Sequence, residues 1–127
     1  DRFVFSSEVL FAPGKANLSS KGEDELLKVG QILNAIMSDI PENINWVIRV
    51  DGHTDNSPIR NSPLFADNWE LSQARALSVV RFMIKELFIP PARLSANGFG
   101  EFQPLNPAET PQARAQNRRI ELKLTEK

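Results

Sequence analysis

From Ile44 to Asp51 the chain alternates. Ile44, Trp46, Ile48 and Val50 are apolar, Asn45, Arg49 and Asp51 between them are polar, and Val47 is the exception. A period of two marks a strand with one buried face. Ile120, Leu122 and Leu124 alternate in the same way with Arg119, Glu121 and Lys123, which predicts a final strand whose Arg119 points to solvent. Two other stretches have helical spacing. Leu26, Val29, Leu33, Ile36 and Ile40 form one apolar stripe behind a Ser20-Lys21-Gly22-Glu23 capping box, and Pro41 ends it. Leu77, Val80, Ile84 and Leu87 form a second stripe, with Asn68 as the N-cap and Pro90-Pro91 as the stop. Before Pro13-Gly14 lie two short apolar patches. Val9-Leu10-Phe11 reads as a buried strand. Phe3-Val4-Phe5 reads as an edge strand or as part of a lead-in, over residues 1–8, to an anchor further upstream. Leu94, Ala96 and Gly98 give a weaker strand signal. The stretches Asn56–Asp67 and Gly98–Asn117, rich in prolines and turn residues, read as loops. The resulting order, β-α-β-α-β-β, predicts a single α+β domain: a two-layer sandwich with both helices on one face of the sheet.

Composition narrows the function more than the fold. With 127 residues and 41% hydrophobic content the chain is long enough for one domain with its own core. The net charge of −1 supplies no general basic field for nucleic acid, although Arg114, Arg118 and Arg119 leave room for a local basic patch. Cysteine is absent, which excludes disulfides, thiolate metal sites and a cysteine nucleophile. No apolar run approaches the roughly 20 residues of a membrane span, so any contact with a membrane is expected through an upstream anchor.

Four polar segments stand out: Asp51-Gly-His-Thr-Asp55, Asn68-Trp-Glu-Leu-Ser-Gln-Ala-Arg-Ala76, Gly98-Phe-Gly-Glu-Phe-Gln-Pro104 and Ala113-Arg-Ala-Gln-Asn-Arg-Arg-Ile120. The first follows the end of a predicted strand and the second opens a predicted helix, positions where α/β sheets place ligands. Together they gather a carboxylate, an amide and guanidinium groups on one rim. Such a set suits a zwitterion, because arginine offers a planar fork to a carboxylate and aspartate accepts from an ammonium.

In order and spacing these segments resemble the OmpA-like domain family shared by outer-membrane protein A, the Pal lipoprotein and the flagellar stator B subunit. The resemblance runs from about Val9 to Leu124. It implies a mixed sheet, and non-covalent binding of peptidoglycan through the diaminopimelate of its stem peptide, without a cofactor or metal. It also implies a place in the periplasm of a Gram-negative bacterium as the soluble part of a membrane-anchored protein. By the same resemblance Asp55 is the ligand-binding acid, Asn68 the helix-start amide, Leu71 a pocket wall, and Arg75 and Arg118 the guanidinium ligands. Asp55 and Arg75 then form a clamp on the rim, and removing either is expected to leave the fold intact. At the first loop the chain departs from the family. Phe11-Ala-Pro-Gly14 stands where many members carry two acidic or amide side chains, so contacts there would come from the backbone of Ala12 to Gly14, with Ala12 and Gly14 the expected sites. The Leu10-Phe11-Ala-Pro-Gly14 form, the Asn68-Trp-Glu-Leu-Ser72 variant and the long loop after Asp55 look like the stator subunit.

Other chemistries have less support. Asp51, His53 and Asp55 at alternate positions lack a fourth metal ligand, and the plainer reading of His53 is a local hydrogen bond that orients the loop. Ser57 and Ser72 have no partner in the sequence that marks either as an activated nucleophile. Trp69, beside Asn68, is the aromatic residue placed to meet a ligand. The reading from another class is an interaction or homodimerisation domain that keeps the fold without wall binding, motivated by the altered first loop.

Overall fold

The computed structural model describes residues 2–59 and 62–127. Residues 60 and 61, within the predicted Asn56–Asp67 loop, and residue 1 lie outside the described set. Four strands form one sheet: β1 (Arg2–Ser6), β2 (Trp46–His53), β3 (Leu94–Gly98) and β4 (Arg119–Glu126). Two long helices, α2 (Ser20–Ser38) and α3 (Asn68–Leu87), accompany two short ones, α1 (Ser7–Leu10) and α4 (Pro111–Asn117). The strand order is β1-β4-β2-β3. β2 and β3, joined through α3, pair in parallel, as a strand–helix–strand unit does, whereas β4 lies antiparallel between β1 and β2. The sheet is therefore mixed and the domain α+β, as the residue pattern and the family resemblance imply.

Alternation in β2 and β4 divides the sheet into two unlike faces. Ile48, Val50, Ile120 and Leu122 form the core with Leu26, Val29 and Leu33 of α2 and Ala76, Val79, Val80 and Met83 of α3, so both long helices cover one face. The second stripe differs from expectation in detail: Leu77, Ile84 and Leu87 are half-buried, and Val79, Phe82 and Met83 go deeper.

Four local readings need correction. Of the two N-terminal patches, the strand is Phe3-Val4-Phe5, at the edge beside β4. Val9 and Leu10 instead form the second half of the one-turn α1, which is capped by the Ser6 hydroxyl accepting from Glu8 N and ends at its C-cap Phe11. Two carbonyls of this segment are satisfied by one residue: the Ser19 hydroxyl donates to Val9 O at 3.0 Å, and Ser19 N donates to Leu10 O at 2.8 Å. The same contact selects Ser19, not Ser20, as the cap of α2, where its hydroxyl accepts from Gly22 N at 2.9 Å. Asp67, not Asn68, caps α3 by accepting from Glu70 N, while the Glu70 carboxylate accepts from Ala66 N. Finally, α4 lies inside the predicted Gly98–Asn117 loop. Thr110 caps it and Pro111 occupies its first turn, a start signal that the surrounding prolines mask.

On the sheet face away from the helices Arg119 is not solvated. It is 4% exposed and bonds Glu121 at 2.5 Å, with further bonds to the carbonyls of Asn117 and Gln103. The segment after β3 covers this end of the face: Phe99 stacks on His53 with ring centres 5.1 Å apart. His53 is buried, and its Nδ1 has no hydrogen-bond partner among the described residues, contrary to the expected local bond. Burial, together with the Arg119 charge, lowers the His53 pKa from 6.5 to about 4. Between those values the unfolded chain binds a proton that the folded chain refuses, so stability falls as pH drops below about 6.5. Thermal melts are expected at lower temperature at pH 5 than at pH 7. The difference is expected to shrink in His53→Leu, and an unchanged difference would refute this origin.

Candidate functional site

Close packing between α3 and the sheet sets the position of the site. Gly52 and Gly98 sit side by side in the parallel register of β2 and β3. A Cβ at Gly52 would run into the Ser72 carbonyl, and one at Gly98 would lie 2.6 Å from Gln73 N. The first turns of α3 thus rest directly on the strand ends. Ser72 is committed there: its hydroxyl donates to Trp69 O and accepts from Gly100 N, a structural role and not that of a nucleophile.

The two strand-end segments and the helix start meet at Asp55. One Asp55 oxygen accepts from Ser57 N at 2.9 Å, and the other takes Arg118 Nη1 at 2.5 Å. Arg118 reaches this point because it is the C-cap of α4, at the turn into β4. Asn68, released from capping, donates its amide to the carbonyls of Asp55 and Ser57 and to the Glu101 carboxylate. The same residue therefore ties the Asp55 loop to the helix and to the segment after β3. Asp51 turns the other way, to Arg49 and Asn97, so Asp51, His53 and Asp55 do not converge on one point.

Arg75 sits deeper than a rim residue. It is 6% exposed; Nε donates to Lys15 O at 2.8 Å and Nη2 to Ala12 O at 3.5 Å, while the guanidinium lies 5.0 Å from the centre of the Phe11 ring. Burial, with the nearby Arg118 charge, lowers its pKa to about 10 against the opposing pull of Asp55, so it stays charged at neutral pH. For Arg118, burial works in the lowering direction, but hydrogen bonds and charge from Glu8 and Asp55 outweigh it and raise the pKa.

Arg75 and Arg118 open together onto a groove of about 460 Å³, whose other walls are Ser7, Glu8, Phe11 and Pro13. Of the remaining expected residues, Asp55 stands behind Arg118 as its ion-pair partner and Asn68 holds the Asp55 loop. Ala12 enters through its carbonyl, which Arg75 uses. Leu71 is buried one turn before Arg75, and Gly14 has a positive φ of 70° in the turn after Ala12; neither lines the groove. Sequence reasoning missed Glu8, whose carboxylate pairs with Arg118. A single exposed acid outside any motif gives no signal in one sequence. A second groove, about 410 Å³, is walled mainly by Phe3, Leu33, Ile36, Leu122 and Leu124; apart from Arg2 it offers nothing to a charged ligand.

Comparison with known proteins finds relatives over nearly the whole chain. Residues 10–118 match the model of the OmpA family. Motility protein B of Bacillus subtilis is 33% identical over 119 residues, covering 94% of this chain and 42% of that protein. Among solved structures, a putative MotB like protein from Desulfovibrio vulgaris superimposes with a TM-score of 0.86 at 33% identity, covering 99% of this chain and 73% of that one. The cell wall anchor of the T6SS from Pseudomonas aeruginosa gives 0.82 at 26% identity, with 98% and 80% covered. The chain spans less than half the length of the Bacillus motility protein, and 28% to 62% of other curated relatives.

Proposed function

Because this chain belongs to the OmpA family, we propose that it binds peptidoglycan non-covalently, through the diaminopimelate of the stem peptide, and so holds an envelope protein to the cell wall. The chain is a binding module and not an enzyme, in keeping with relatives named as motility, outer-membrane and anchoring proteins. One observation carries the reading: Arg75 and Arg118 share one groove, with Asp55 fixed behind Arg118. Two guanidiniums with neighbouring carboxylates match the free end of meso-diaminopimelate, which carries one carboxylate and one ammonium. Lysine at the same place in the stem peptide lacks that carboxylate. Among the described residues no helix is long and apolar enough to cross a membrane. In a Gram-negative cell the compartment is the periplasm.

Calorimetry with the two stem peptides tests the reading. The diaminopimelate peptide is expected to bind several-fold more tightly than the lysine peptide, and equal affinities would refute it. A second reading, a homodimerisation domain without wall binding, draws on the apolar groove and on exposed Ile32 and Ile36 of α2. Sedimentation with purified sacculi separates the two, since a wall-binding domain pellets with them and a pure interaction domain does not.

A further inference from the structure

We propose that the sheet face away from the helices carries a docking site for an acidic segment of a partner protein, centred on Arg2, Arg49 and Lys123. The site lies apart from the Arg75 groove and does not depend on wall binding.

The strand register lines three cations up. Arg2 of β1 and Arg49 of β2 are both direct cross-strand partners of Lys123 in β4, so the three form one row across the sheet. Neighbouring strands lie about 4.8 Å apart, and like charges directly opposite one another destabilise a sheet. In the next row Glu121 and Asp51 face each other and are buried. These acids already have closer partners. Arg119 bonds Glu121 at 2.5 Å, and Arg49 and Asn97 each bond Asp51 at 3.0 Å. Lys123 stands 3.4 Å from Glu121 and 3.6 Å from Asp51, and Arg2 stands 3.7 Å from Glu121. Those distances exceed the roughly 2.7–3.2 Å of a normal hydrogen bond. Neutralising the buried acids thus accounts for Arg119 and Arg49 and leaves Arg2 and Lys123 over. Their side chains are 47% and 35% exposed. Among the described residues four cations meet two acids here, a local excess of positive charge on a chain whose net charge is −1.

The surroundings select the occupant. The row lines a groove of about 520 Å³, whose other walls include Phe102, Pro104 and Leu105 of the segment after β3. Phe102 and Leu105 are exposed. Carboxylates suit the cations and apolar side chains suit the Phe102–Leu105 wall, a combination that an acidic, partly apolar polypeptide supplies. A phosphate polymer has nothing for Phe102 and Leu105 to bury, and a flat bilayer surface does not enter a groove.

The test uses a fluorescent peptide, Glu-Leu-Glu-Glu-Phe-Glu, its counterpart with Gln for every Glu, and phosphatidylglycerol vesicles. Each is titrated into the parent, Lys123→Gln, the double variant Arg2→Gln with Lys123→Gln, and Leu105→Ser. The parent is expected to bind the acidic peptide at least about tenfold more tightly than the neutral one, since several exposed ion pairs contribute up to about fivefold each. The advantage is expected to vanish as salt rises from about 0.1 M to about 1 M, where the Debye length falls to ~3 Å. Lys123→Gln is expected to weaken the acidic peptide roughly two- to fivefold, and the double variant about tenfold. Leu105→Ser is expected to weaken both peptides alike. The double variant is expected to melt near the parental temperature and to pellet with sacculi as the parent does. Equal affinity for the two peptides, or a double variant that binds the acidic one like the parent, overturns the proposal. Vesicle binding without peptide binding overturns it in favour of a membrane surface. Loss of sacculus binding in the folded double variant overturns it in favour of the wall as occupant.

Discussion

An Arg75→Ala variant is expected to bind the diaminopimelate peptide at least about tenfold more weakly than the parent, and also to melt at a clearly lower temperature. Truncating one member of a desolvated charged contact costs about 2–5 kcal/mol, and ~1.4 kcal/mol is tenfold in affinity. The stability loss has a separate origin, one that the residue's place on a predicted rim conceals. Arg75 is buried, and its guanidinium holds the carbonyls of Lys15 and Ala12, tying the first loop to α3. Losing a hydrogen bond to a charged donor costs roughly 1.5–3 kcal/mol. For a domain of this size that corresponds to a drop in Tm of roughly 5–10 °C. Arg75→Lys keeps a charge but has no fork to span two carbonyls and a ligand, so it is expected to bind poorly as well. Calorimetry and melting followed by circular dichroism give both quantities. A variant with parental affinity and parental Tm would sink both halves of the argument.

The second large effect is expected on the other face of the sheet. Glu121 is 2% exposed and supplies the carboxylate for Arg119, with Arg2 and Lys123 at 3.7 and 3.4 Å. Glu121→Ala leaves Arg119 buried with only carbonyl partners, at a cost of about 3–5 kcal/mol. Replacing both members by apolar residues, Arg119→Met with Glu121→Leu, removes the stranded charge and is expected to restore most of the loss. Urea unfolding of the two variants decides the matter, and a double variant no better than the single one would contradict it. The pair also bears on acid stability. Burial works to raise the Glu121 pKa, but the hydrogen bond and charge of Arg119, aided by Arg2, hold it below its ordinary value of 4.5. The stabilisation is therefore complete above about pH 4.5 and fades as pH falls through the lowered value.

The sequence made the framework legible wherever a period was long enough to count. Alternation through Trp46–Asp51 and Ile120–Leu124 marked the two central strands, and the stripes of α2 and α3 marked the layer above them. What stayed hidden was decided by tertiary contact. Ser19 and Ser20 are equally good caps until Val9 and Leu10 present their carbonyls to Ser19. A run of only three apolar residues at Val9–Phe11 cannot distinguish a strand from a turn that buries Leu10. Arg119 alternates like a solvated residue, and only the segment from Phe99 to Gln103, folding back over it, makes it interior. The same holds at the site. The motifs marked Asp55, Asn68, Arg75 and Arg118, but a lone Glu8 gains its meaning from meeting Arg118 across more than a hundred residues of chain.

The strand order has a consequence for how the domain comes into being. β4 is the last strand in sequence, yet it lies between β1 and β2 and is hydrogen-bonded to both. Until residues 119–126 are available, β1 has no neighbour in the sheet and β2 has only β3. Closing the sheet joins segments from opposite ends of the chain, so the loop-closure entropy falls late and in one step. A nascent chain leaving the ribosome amino-terminus first thus holds at most the β2–β3 pair of this sheet until residues 119–126 have been made.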